Sequence, residues 1–375
     1  MYGYFGPAGT FTHQALKTLG HVDARPSATV GAALQGVVDG DVEASLVPIE
    51  NSVEGGVSAT LDTLAALGGL QIVREVVIPV QFNLYVRPGT SLASIRHVVT
   101  HPHAANQCRD WLAANLPEHA EIAQGGSTAS AAKEVSDPRS RFDAAVCAEV
   151  AGTMYGLTAV AQGIADNPDA VTRFILVARS GQMIARTGDD RTTVVVVPPS
   201  DHPGALLEIL QQFSFRKINL SRIESRPTKD RLGEYCFSID AIGHVADERM
   251  AAALKGLYRI SRQVIFLGSY PNGSTRGFAS PEGPDVIRGF SDEDYLAAEK
   301  WFQGVIGKQN TSIHGRPPRC RPLELRGHLL VSDGHGKDTL MECRQHQVGA
   351  ESPGDRDEVI VRPLIRISEK LWNRH

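Results

Sequence analysis

Cysteine is scarce in this chain and is not arranged for a disulfide framework or a zinc site. The cysteines are odd in number and far apart, and no two of them form a C-x-x-C pair: they are Cys108, Cys147, Cys236, Cys320 and Cys343. Such spacing is typical of reduced thiols, so it predicts a cytoplasmic protein.

Long hydrophobic runs and an excess of basic charge are also missing. No window approaches the roughly 20 apolar residues that a membrane-spanning helix needs, and residues 1–7 lack the regions of an export signal. The formal net charge of −4 gives no support for a nucleic-acid partner or an anionic membrane. We therefore expect a soluble protein that acts on a small molecule.

The 375 residues, 42% of them hydrophobic, are enough for two or three domains. From residue 1 to about 180, short apolar runs alternate with apolar residues at helical spacing. The predicted strands are residues 2–5, 44–48, 72–86, 97–100, 144–147 and 173–177. The predicted helices are residues 10–19, 29–38, 57–67, 102–116 and 128–135. This alternation predicts a parallel sheet layered with helices.

One apolar run indicates that residues 1–181 form two lobes. Residues 72–86 are too long for one strand and contain Pro79, so we expect a crossing between lobes near residues 77–82 and a return near 158–169. A cleft between two α/β lobes can bury a ligand when it closes.

The chain beyond the lobes divides into a second domain and a tail. Residues 191–271 show the order βαββαβ of a ferredoxin-like unit, and an open sheet face or edge of so small a unit would suit pairing with another copy. Residues 272–375 lose their periodicity, which predicts a largely disordered tail with one helix at 292–304.

Two predicted helix starts could bind carboxylates. Residues 6–12 (Gly-Pro-Ala-Gly-Thr-Phe-Thr) lack the lysine of a P-loop and the spacing of a dinucleotide site, which favours a carboxylate at Thr10 and Phe11. Ser127 and Thr128 open another helix. The alternative at both places is a plain Ser/Thr cap without a ligand.

Polar side chains also follow a buried strand at residues 47–56, where open α/β sheets bind ligands. They are Glu50, Asn51, Ser52 and Glu54, although Glu54 alternatively serves only the dipole of the next helix.

Residues 100–107 could bring Thr100, Asn106 and Gln107 to the cleft. His101 and His103 have no acidic or cysteine partner at ligand spacing, so they are predicted to cap the helix or lie at the surface, not to bind a metal.

Residues 166–177 deliver a hydroxyl, a guanidinium and a ring at the start of an apolar strand. Thr172 can donate a neutral hydrogen bond, Arg173 can pair with a carboxylate, and Phe174 can exclude water. The alternative is a loop that leads into an edge strand. With the other motifs, this segment predicts a pocket for a small dianion that uses no metal and no cofactor.

These motifs resemble, in the same order, the signature of prephenate dehydratase. The segments concerned are residues 6–12, 48–55, 101–102 with 107–108, 126–128 and 172–174. Residues 204–207 (Gly-Ala-Leu-Leu) and 224–227 (Glu-Ser-Arg-Pro) resemble motifs of the ACT regulatory domain of the same enzymes. The resemblance covers roughly residues 1–271 and implies a two-lobed catalytic domain, like a periplasmic binding protein, followed by a ferredoxin-like ACT domain.

The resemblance implies a carbon–oxygen lyase that converts prephenate to phenylpyruvate with loss of water and carbon dioxide. Thr172 would hydrogen-bond or protonate the leaving oxygen, Arg173 would pair with the surviving carboxylate, and Phe174 would form an apolar wall beside the departing one. Asn51, Thr100 and Gln107 would position the ring. The other substrate-binding residues would be Thr10, Phe11, Glu50, Ser52, Ser127 and Thr128.

The resemblance also implies that phenylalanine binds between two ACT domains, inhibits the enzyme as its end product, and requires a dimer or tetramer. The effector-binding residues would be Gly204, Ala205, Leu206, Leu207, Asn219, Leu220, Glu224, Ser225, Arg226 and Pro227. Three alternatives remain open: an arogenate dehydratase, a non-catalytic protein that binds an anion or amino acid, and a regulatory subunit.

Overall fold

The computed structural model describes residues 1–20, 23–181, 183–228, 234–273 and 291–307, and the backbone alone of residues 328–333 and 337–342. The chain divides into two compact units, Met1–Asn310 and Thr311–His375. Most of the predicted disorder of the tail falls outside the described residues.

The helices and strands of residues 1–181 are, in order, β1 (Tyr2–Phe5), α1 (Phe11–Thr18), β2 (Ala24–Ser27), α2 (Val30–Asp39), β3 (Ala44–Asn51), β4 (Gly55–Gly56), α3 (Ser58–Ala66), β5 (Leu70–Pro79), β6 (Asn83–Val86), β7 (His97–Thr100), α4 (Pro102–Gln107), α5 (Arg109–Asn115), β8 (Glu121–Gln124), α6 (Thr128–Ser136), β9 (Ala144–Cys147), α7 (Glu149–Met154), β10 (Thr158–Ala161) and β11 (Val171–Arg179).

The first lobe is built on a mixed sheet with the strand order β2-β1-β3-β11-β5, and the short β4 pairs with β3. β1 is parallel to β2 and β3, whereas β11 is antiparallel to β3 and β5. The alternation of strands and helices predicted a parallel sheet, but this sheet is mixed. The reason is that β5 leads towards the second lobe and β11 returns from it in the opposite direction.

The second lobe has the strand order β10-β6-β9-β7-β8. β7 is parallel to β8 and β9, and β6 is antiparallel to β9 and β10. The chain crosses between the lobes after Pro79 and again before Val171. The sequence analysis predicted crossings near residues 77–82 and 158–169.

The next elements are β12 (Asp190–Val197), α8 (Ala205–Ser214), β13 (Leu220–Pro227), β14 (Tyr235–Ile242), α9 (Glu248–Ile260) and β15 (Gln263–Pro271). The four strands form an antiparallel sheet of order β13-β14-β12-β15, which is the ferredoxin-like arrangement. Ile209 of α8 and Leu257 of α9 pack on one face of this sheet.

The other face of the ferredoxin-like sheet packs against the first lobe. Val195 and Tyr270 share one hydrophobic core with Ile72 of β5. Gly268 has a φ of +124°, and a Cβ there would lie 2.5 Å from the Ile72 carbonyl oxygen, so β15 approaches β5 as closely as glycine permits. The sheet face that could have paired with another copy is therefore covered, and β13 forms an edge within the described residues.

Several short elements were not predicted from the sequence. β2, β8, β10 and α7 are four to six residues long and carry no clear periodicity. The helix predicted at 102–116 is instead two helices, because the chain breaks at Cys108, where φ is −122° and ψ is 16°.

After the ferredoxin-like domain, α10 (Asp292–Gly307) extends slightly beyond the predicted helix at 292–304. In the second compact unit, β16 (His328–Asp333) and β17 (Lys337–Glu342) pair antiparallel. No helix among the described residues combines the length and apolar character that a membrane span requires.

Candidate active site

Thr172 and Asn51 meet where β11 begins and β3 ends. Thr172 Oγ1 accepts a hydrogen bond of 2.8 Å from Asn51 Nδ2, and Asn51 Oδ1 accepts from the backbone N–H groups of Val53 and Glu54 at 2.8 and 3.1 Å. The nitrogen and the oxygen of the Asn51 side-chain amide are therefore both held by hydrogen bonds. Thr172 is 8% exposed, and its hydroxyl has no acceptor for its own proton among the described residues, so it can donate to a ligand.

Ser52 fixes the start of β11 beside this pair. Its backbone N–H donates to the Val171 carbonyl oxygen at 2.9 Å, and its hydroxyl accepts from the Val171 N–H at 3.0 Å. Ser52 therefore joins the end of β3 to the start of β11. Its hydroxyl, which was predicted to bind substrate, is bonded to the backbone of Val171 instead.

Arg173 does not face the cleft, so its predicted role as a substrate-carboxylate ligand is wrong. Its Nε donates to Glu50 at 3.1 Å, its Nη1 donates to Glu75 at 3.1 Å, and its Nη2 donates to Asp240 of the ferredoxin-like domain. Neighbouring residues of a strand project to opposite faces, which separates Arg173 from Thr172. Glu50, predicted to bind substrate, also lies on the Arg173 side.

Phe174 is not a wall of the cleft either. It is 1% exposed and packs in a core with Tyr4, Leu16 and Leu46. The predicted aromatic residue that does touch both lobes is Phe11, whose ring meets Phe82 edge-on with centroids 5.3 Å apart.

The loop before α1 lies against the second lobe. Gly9 has a φ of +90°, and a Cβ there would come within 3.3 Å of Ala129 in α6 and Ala151 in α7. Thr10 caps α1, since its hydroxyl accepts from the His13 N–H and donates to the Pro7 carbonyl oxygen. The first turn of α1 therefore faces the start of α6.

His13 supports this loop and was missed in the sequence. Its Nδ1 accepts a hydrogen bond of 3.1 Å from the Gly9 N–H, and its ring stacks on Tyr4 at 5.3 Å. Burial lowers the pKa of His13, which keeps Nδ1 free to accept. The sequence feature that could have identified His13 is its position three residues after the helix-capping Thr10.

Ser127 and Thr128 start α6. Ser127 forms a capping box with Ser130: the hydroxyl of each accepts from the backbone N–H of the other at 2.9 Å. The Ser127 hydroxyl is thus a helix cap, the alternative weighed from the sequence. The first N–H groups of α6, including that of Thr128, remain available to an anion.

Thr100 is buried behind the cleft. It is 1% exposed, and its hydroxyl donates to the Val146 carbonyl oxygen at 2.7 Å. The structure therefore contradicts a direct role for Thr100 in positioning the substrate ring, since its hydroxyl ties β7 to β9.

Glu54 joins the two lobes across the cleft. Its Oε1 accepts from Gln107 Nε2 at 2.8 Å, and its Oε2 pairs with His103 Nδ1 at 2.5 Å. Gln107 Oε1 is buried and has no hydrogen-bond partner among the described residues. His103 therefore bridges the lobes, whereas His101 caps α4 as predicted, with Nδ1 accepting from the His103 N–H at 3.3 Å.

A cavity of about 460 Å³ opens beside this bridge, which is a size that suits a small ligand. Its lining residues are Val53, Glu54, His103, Asn106, Gln107, Ala165, Asp166 and Asn167. No Lys or Arg is among them, so the positive potential for an anion must come from elsewhere, and the helix starts at α1 and α6 are candidates.

The two motifs of the ferredoxin-like domain lie on different surfaces. Gly204 has a φ of +97° and precedes α8, where Leu206 and Leu207 are exposed. Glu224 lies against Gly56, and Arg226 pairs with Asp62 of α3 at 2.9 and 3.2 Å. Glu224 and Arg226 thus contact the first lobe, whereas Ser225 and Pro227 are exposed on β13.

The chain matches relatives over most of its length. The family model of prephenate dehydratase matches residues 2–182. A protein named prephenate dehydratase from Mycobacteroides abscessus is 46% identical over 281 residues, which cover 72% of this chain and 90% of that protein.

Two solved structures show the same fold. Prephenate dehydratase of Arthrobacter aurescens in complex with L-Phe is 46% identical, has a TM-score of 0.74, and matches 82% of this chain and 99% of that one. A structure described as a novel type of quorum quenching acylase is 27% identical, with a TM-score of 0.66, and matches 72% of this chain and 97% of that one. With 46% identity over nine-tenths of a relative, the chain belongs to the prephenate dehydratase family.

Proposed function

We propose that this chain converts prephenate to phenylpyruvate, with the Thr172–Asn51 pair at the reacting centre. The observation that carries the proposal is the 2.8 Å hydrogen bond that turns the Thr172 oxygen into an acceptor for Asn51 and leaves the Thr172 proton for the substrate. The similarity to named dehydratases over 90% of a relative's length supports the same reaction.

The reaction removes a hydroxyl group and a carboxylate from opposite ends of the prephenate ring. As the carbon–carbon bond to the carboxylate breaks, its electron pair enters the ring and the bond to the hydroxyl oxygen breaks. The departing oxygen takes up one proton, supplied by water directly or relayed through Thr172, so carbon dioxide and water leave and an aromatic ring forms. Thr172 donates a hydrogen bond to the departing oxygen, where negative charge develops. Asn51 orients the threonine for this contact.

The surviving carboxylate binds at the starts of α1 and α6. Arg173 is occupied by three carboxylates, whereas the first N–H groups of a helix have no partner within that helix. The loop before α1 lies against Ala129 near the start of α6. The departing carboxylate lies near apolar side chains such as Phe11. A strong cation at this position would stabilise the ground state as much as the transition state and would not accelerate the reaction. Gln107 Oε1 is available to accept from the substrate.

The ferredoxin-like domain is an ACT domain that binds phenylalanine and inhibits the enzyme. The related structure from Arthrobacter aurescens is a complex with L-Phe, and residues 204–207 offer the N–H groups of the α8 start to an amino-acid carboxylate. Of the remaining effector residues of the sequence prediction, Ala205 begins α8, Asn219 directly precedes β13, and Leu220 and Ser225 are on β13.

A second copy of the chain completes the effector site. Leu206 and Leu207 are 39% and 58% exposed, and Ile223 of β13 is 40% exposed, so an apolar surface is available for pairing. A dimer or tetramer in the cytoplasm is the assembly we propose.

Substrate turnover tests the proposal. The purified chain is incubated with prephenate, and phenylpyruvate is followed by its absorbance in alkali, with arogenate in a parallel reaction. Thr172→Val, which keeps the side-chain shape, should lower kcat at least about a hundredfold, because one hydrogen bond to the developing charge is lost. Thr172→Ser should restore part of it.

The outcomes separate the alternatives. Turnover of arogenate alone would assign the other dehydratase, and binding of prephenate without turnover would assign a binding protein. The acylase described for a relative at 27% identity is less supported than the dehydratase at 46%, and the fold alone does not choose between them.

A further inference from the structure

Six charged side chains connect the start of β11 to the ferredoxin-like sheet. This charge cluster consists of Arg173, Glu50 and Glu75 of the first lobe and Arg191, Arg222 and Asp240 of the ferredoxin-like domain. Five of the six side chains are at most 7% exposed, and Glu50 is 36% exposed. Positive and negative charges are equal in number, as buried ions require.

Asp240 lies at the centre of the charge cluster and is fully buried. Its carboxylate accepts from Arg173 Nη2, from Arg222 Nε and Nη2 at 2.9 and 3.0 Å, and from the Thr193 hydroxyl at 2.8 Å. Burial alone would raise the pKa of Asp240, but the guanidinium groups of Arg222 and Arg173 hold it well below its usual range. A fixed negative charge therefore draws Arg173 towards the ferredoxin-like domain.

The charge cluster and the catalytic pair occupy adjacent rungs of one ladder. Thr172 pairs with Asn51, and Arg173 pairs with Glu50. Because successive residues of a strand face opposite ways, each strand carries a catalytic residue on one side and a cluster residue on the other. A register shift follows between Arg173 and Phe174, and such bulges re-aim side chains. Movement of Arg173 or Glu50 therefore moves Thr172 or Asn51.

The same cluster reaches the segment proposed to sense phenylalanine. Arg222 Nη1 lies 3.6 Å from Glu224 Oε1, and both residues are on β13. Glu224 in turn lies against Gly56, which pairs with Glu50. One continuous set of contacts thus runs from β13 through Arg222, Asp240 and Arg173 to the catalytic edge.

We propose that Asp240 is a positioning residue that transmits the phenylalanine response to the Thr172–Asn51 pair. This inference rests on the proposed function, in which phenylalanine binds at the ferredoxin-like domain. When β13 shifts on effector binding, Arg222 shifts with it, Asp240 redistributes its contacts between Arg222 and Arg173, and the rung that holds Thr172 changes position. In this proposal the charge cluster changes between two arrangements of its contacts, as such coupling requires.

Asp240→Asn tests the inference, because it keeps the side-chain size and removes the charge. We expect kcat to fall about tenfold or more, since misplacement by a fraction of an ångström is costly to catalysis, while KM changes little. The variant should still bind phenylalanine, as measured by calorimetry, with a Kd within about threefold of the wild type. Its inhibition by phenylalanine should weaken at least about fivefold, which lies in the range of typical coupling.

Asp292→Asn is the matched control. Asp292 also pairs with an arginine, Arg249 of α9, at 3.0 Å, but it is outside the charge cluster. This variant should keep both turnover and inhibition. Thr193→Val is the milder second variant, since it removes one hydrogen bond to Asp240 and one contact with Tyr270. Thr193→Val should also weaken inhibition by phenylalanine, and it provides the test if Asp240→Asn fails to fold.

A folded Asp240→Asn or Thr193→Val enzyme with unchanged kcat and unchanged inhibition would overturn the inference. A wild-type enzyme that turns over prephenate but does not bind phenylalanine would instead overturn the proposed regulation. Loss of phenylalanine binding in the folded variants would place Asp240 in the effector site and would also contradict a transmitting role.

Discussion

Glu54 Oε1 accepts a hydrogen bond from Gln107 Nε2 at 2.8 Å, and this bond connects the turn after β3 to helix α4 of the other lobe. The turn itself is held by Asn51 Oδ1. One short segment therefore fixes the partner of Thr172 and orients an amide of the second lobe.

Glu54→Ala should lower kcat/KM for prephenate by about threefold to tenfold, the loss of roughly one hydrogen bond. Gln107 would lose its orienting partner, and the lobes would lose the contact with His103. Steady-state kinetics measure the effect, and the melting temperature should stay within a few degrees. Glu121→Ala, on exposed β8, is the control. An unchanged kcat/KM in Glu54→Ala would show that the Gln107 orientation is set elsewhere.

Gly268→Ala should destabilise the chain strongly, because a Cβ would stand 2.5 Å from the Ile72 carbonyl oxygen and φ is +124°. We expect a loss of more than about 2 kcal/mol in the free energy of unfolding. Gly188→Ala is the matched control, since φ is +95° there and no atom lies within 4 Å of the added Cβ. It should cost about 1 kcal/mol. Equal losses in urea unfolding would contradict the close approach of β15 to β5.

Cys108 and Cys147 should resist thiol reagents at pH 8. Burial raises the pKa of both thiols to about 12, so almost no thiolate exists in the folded chain. Mass spectrometry of alkylated peptides should find both unmodified in the native protein and modified in denaturant. Rapid native labelling of either cysteine would mean that its lobe opens readily.

Acid should remove the stabilisation that Asp240 provides. The arginines lower the folded pKa of Asp240, so its contribution is complete above the unfolded pKa of about 3.9 and is lost as the pH falls below that value towards the folded pKa. The difference in unfolding free energy between wild type and Asp240→Asn should shrink by about 1.4 kcal/mol per pH unit below pH 4. A difference that is constant between pH 7 and pH 3 would contradict an ionised, paired Asp240.

Truncation after Asn310 should leave turnover and the phenylalanine response unchanged. The compact unit that contains the lobes and the ferredoxin-like domain ends there, and 82% of this chain already matches 99% of the Arthrobacter aurescens structure. Kinetics of the shortened chain with and without phenylalanine provide the measurement. Loss of either property would show that residues 311–375 contribute to the enzyme.

Much of the candidate site could be predicted because it lies in short contiguous motifs. Asn51 and Thr172 were both identified from the sequence, and the structure brings them within 2.8 Å. The orientation of the neighbouring residues could not be predicted. The sequence 172–174 places a hydroxyl, a guanidinium and a ring together, but the pleat of β11 and the domain packed against it decide where each side chain points.

The sequence by itself determined the two-lobed organisation, the βαββαβ domain and the identity of the polar residues at the strand ends, because apolar periodicity and turn residues act over a few positions. Tertiary structure decided that Arg173 binds Glu50, Glu75 and Asp240, that Phe174 is core, and that Glu54 bridges to His103. These contacts join residues far apart in the chain, and the partners of a charged side chain depend on which distant surface buries it.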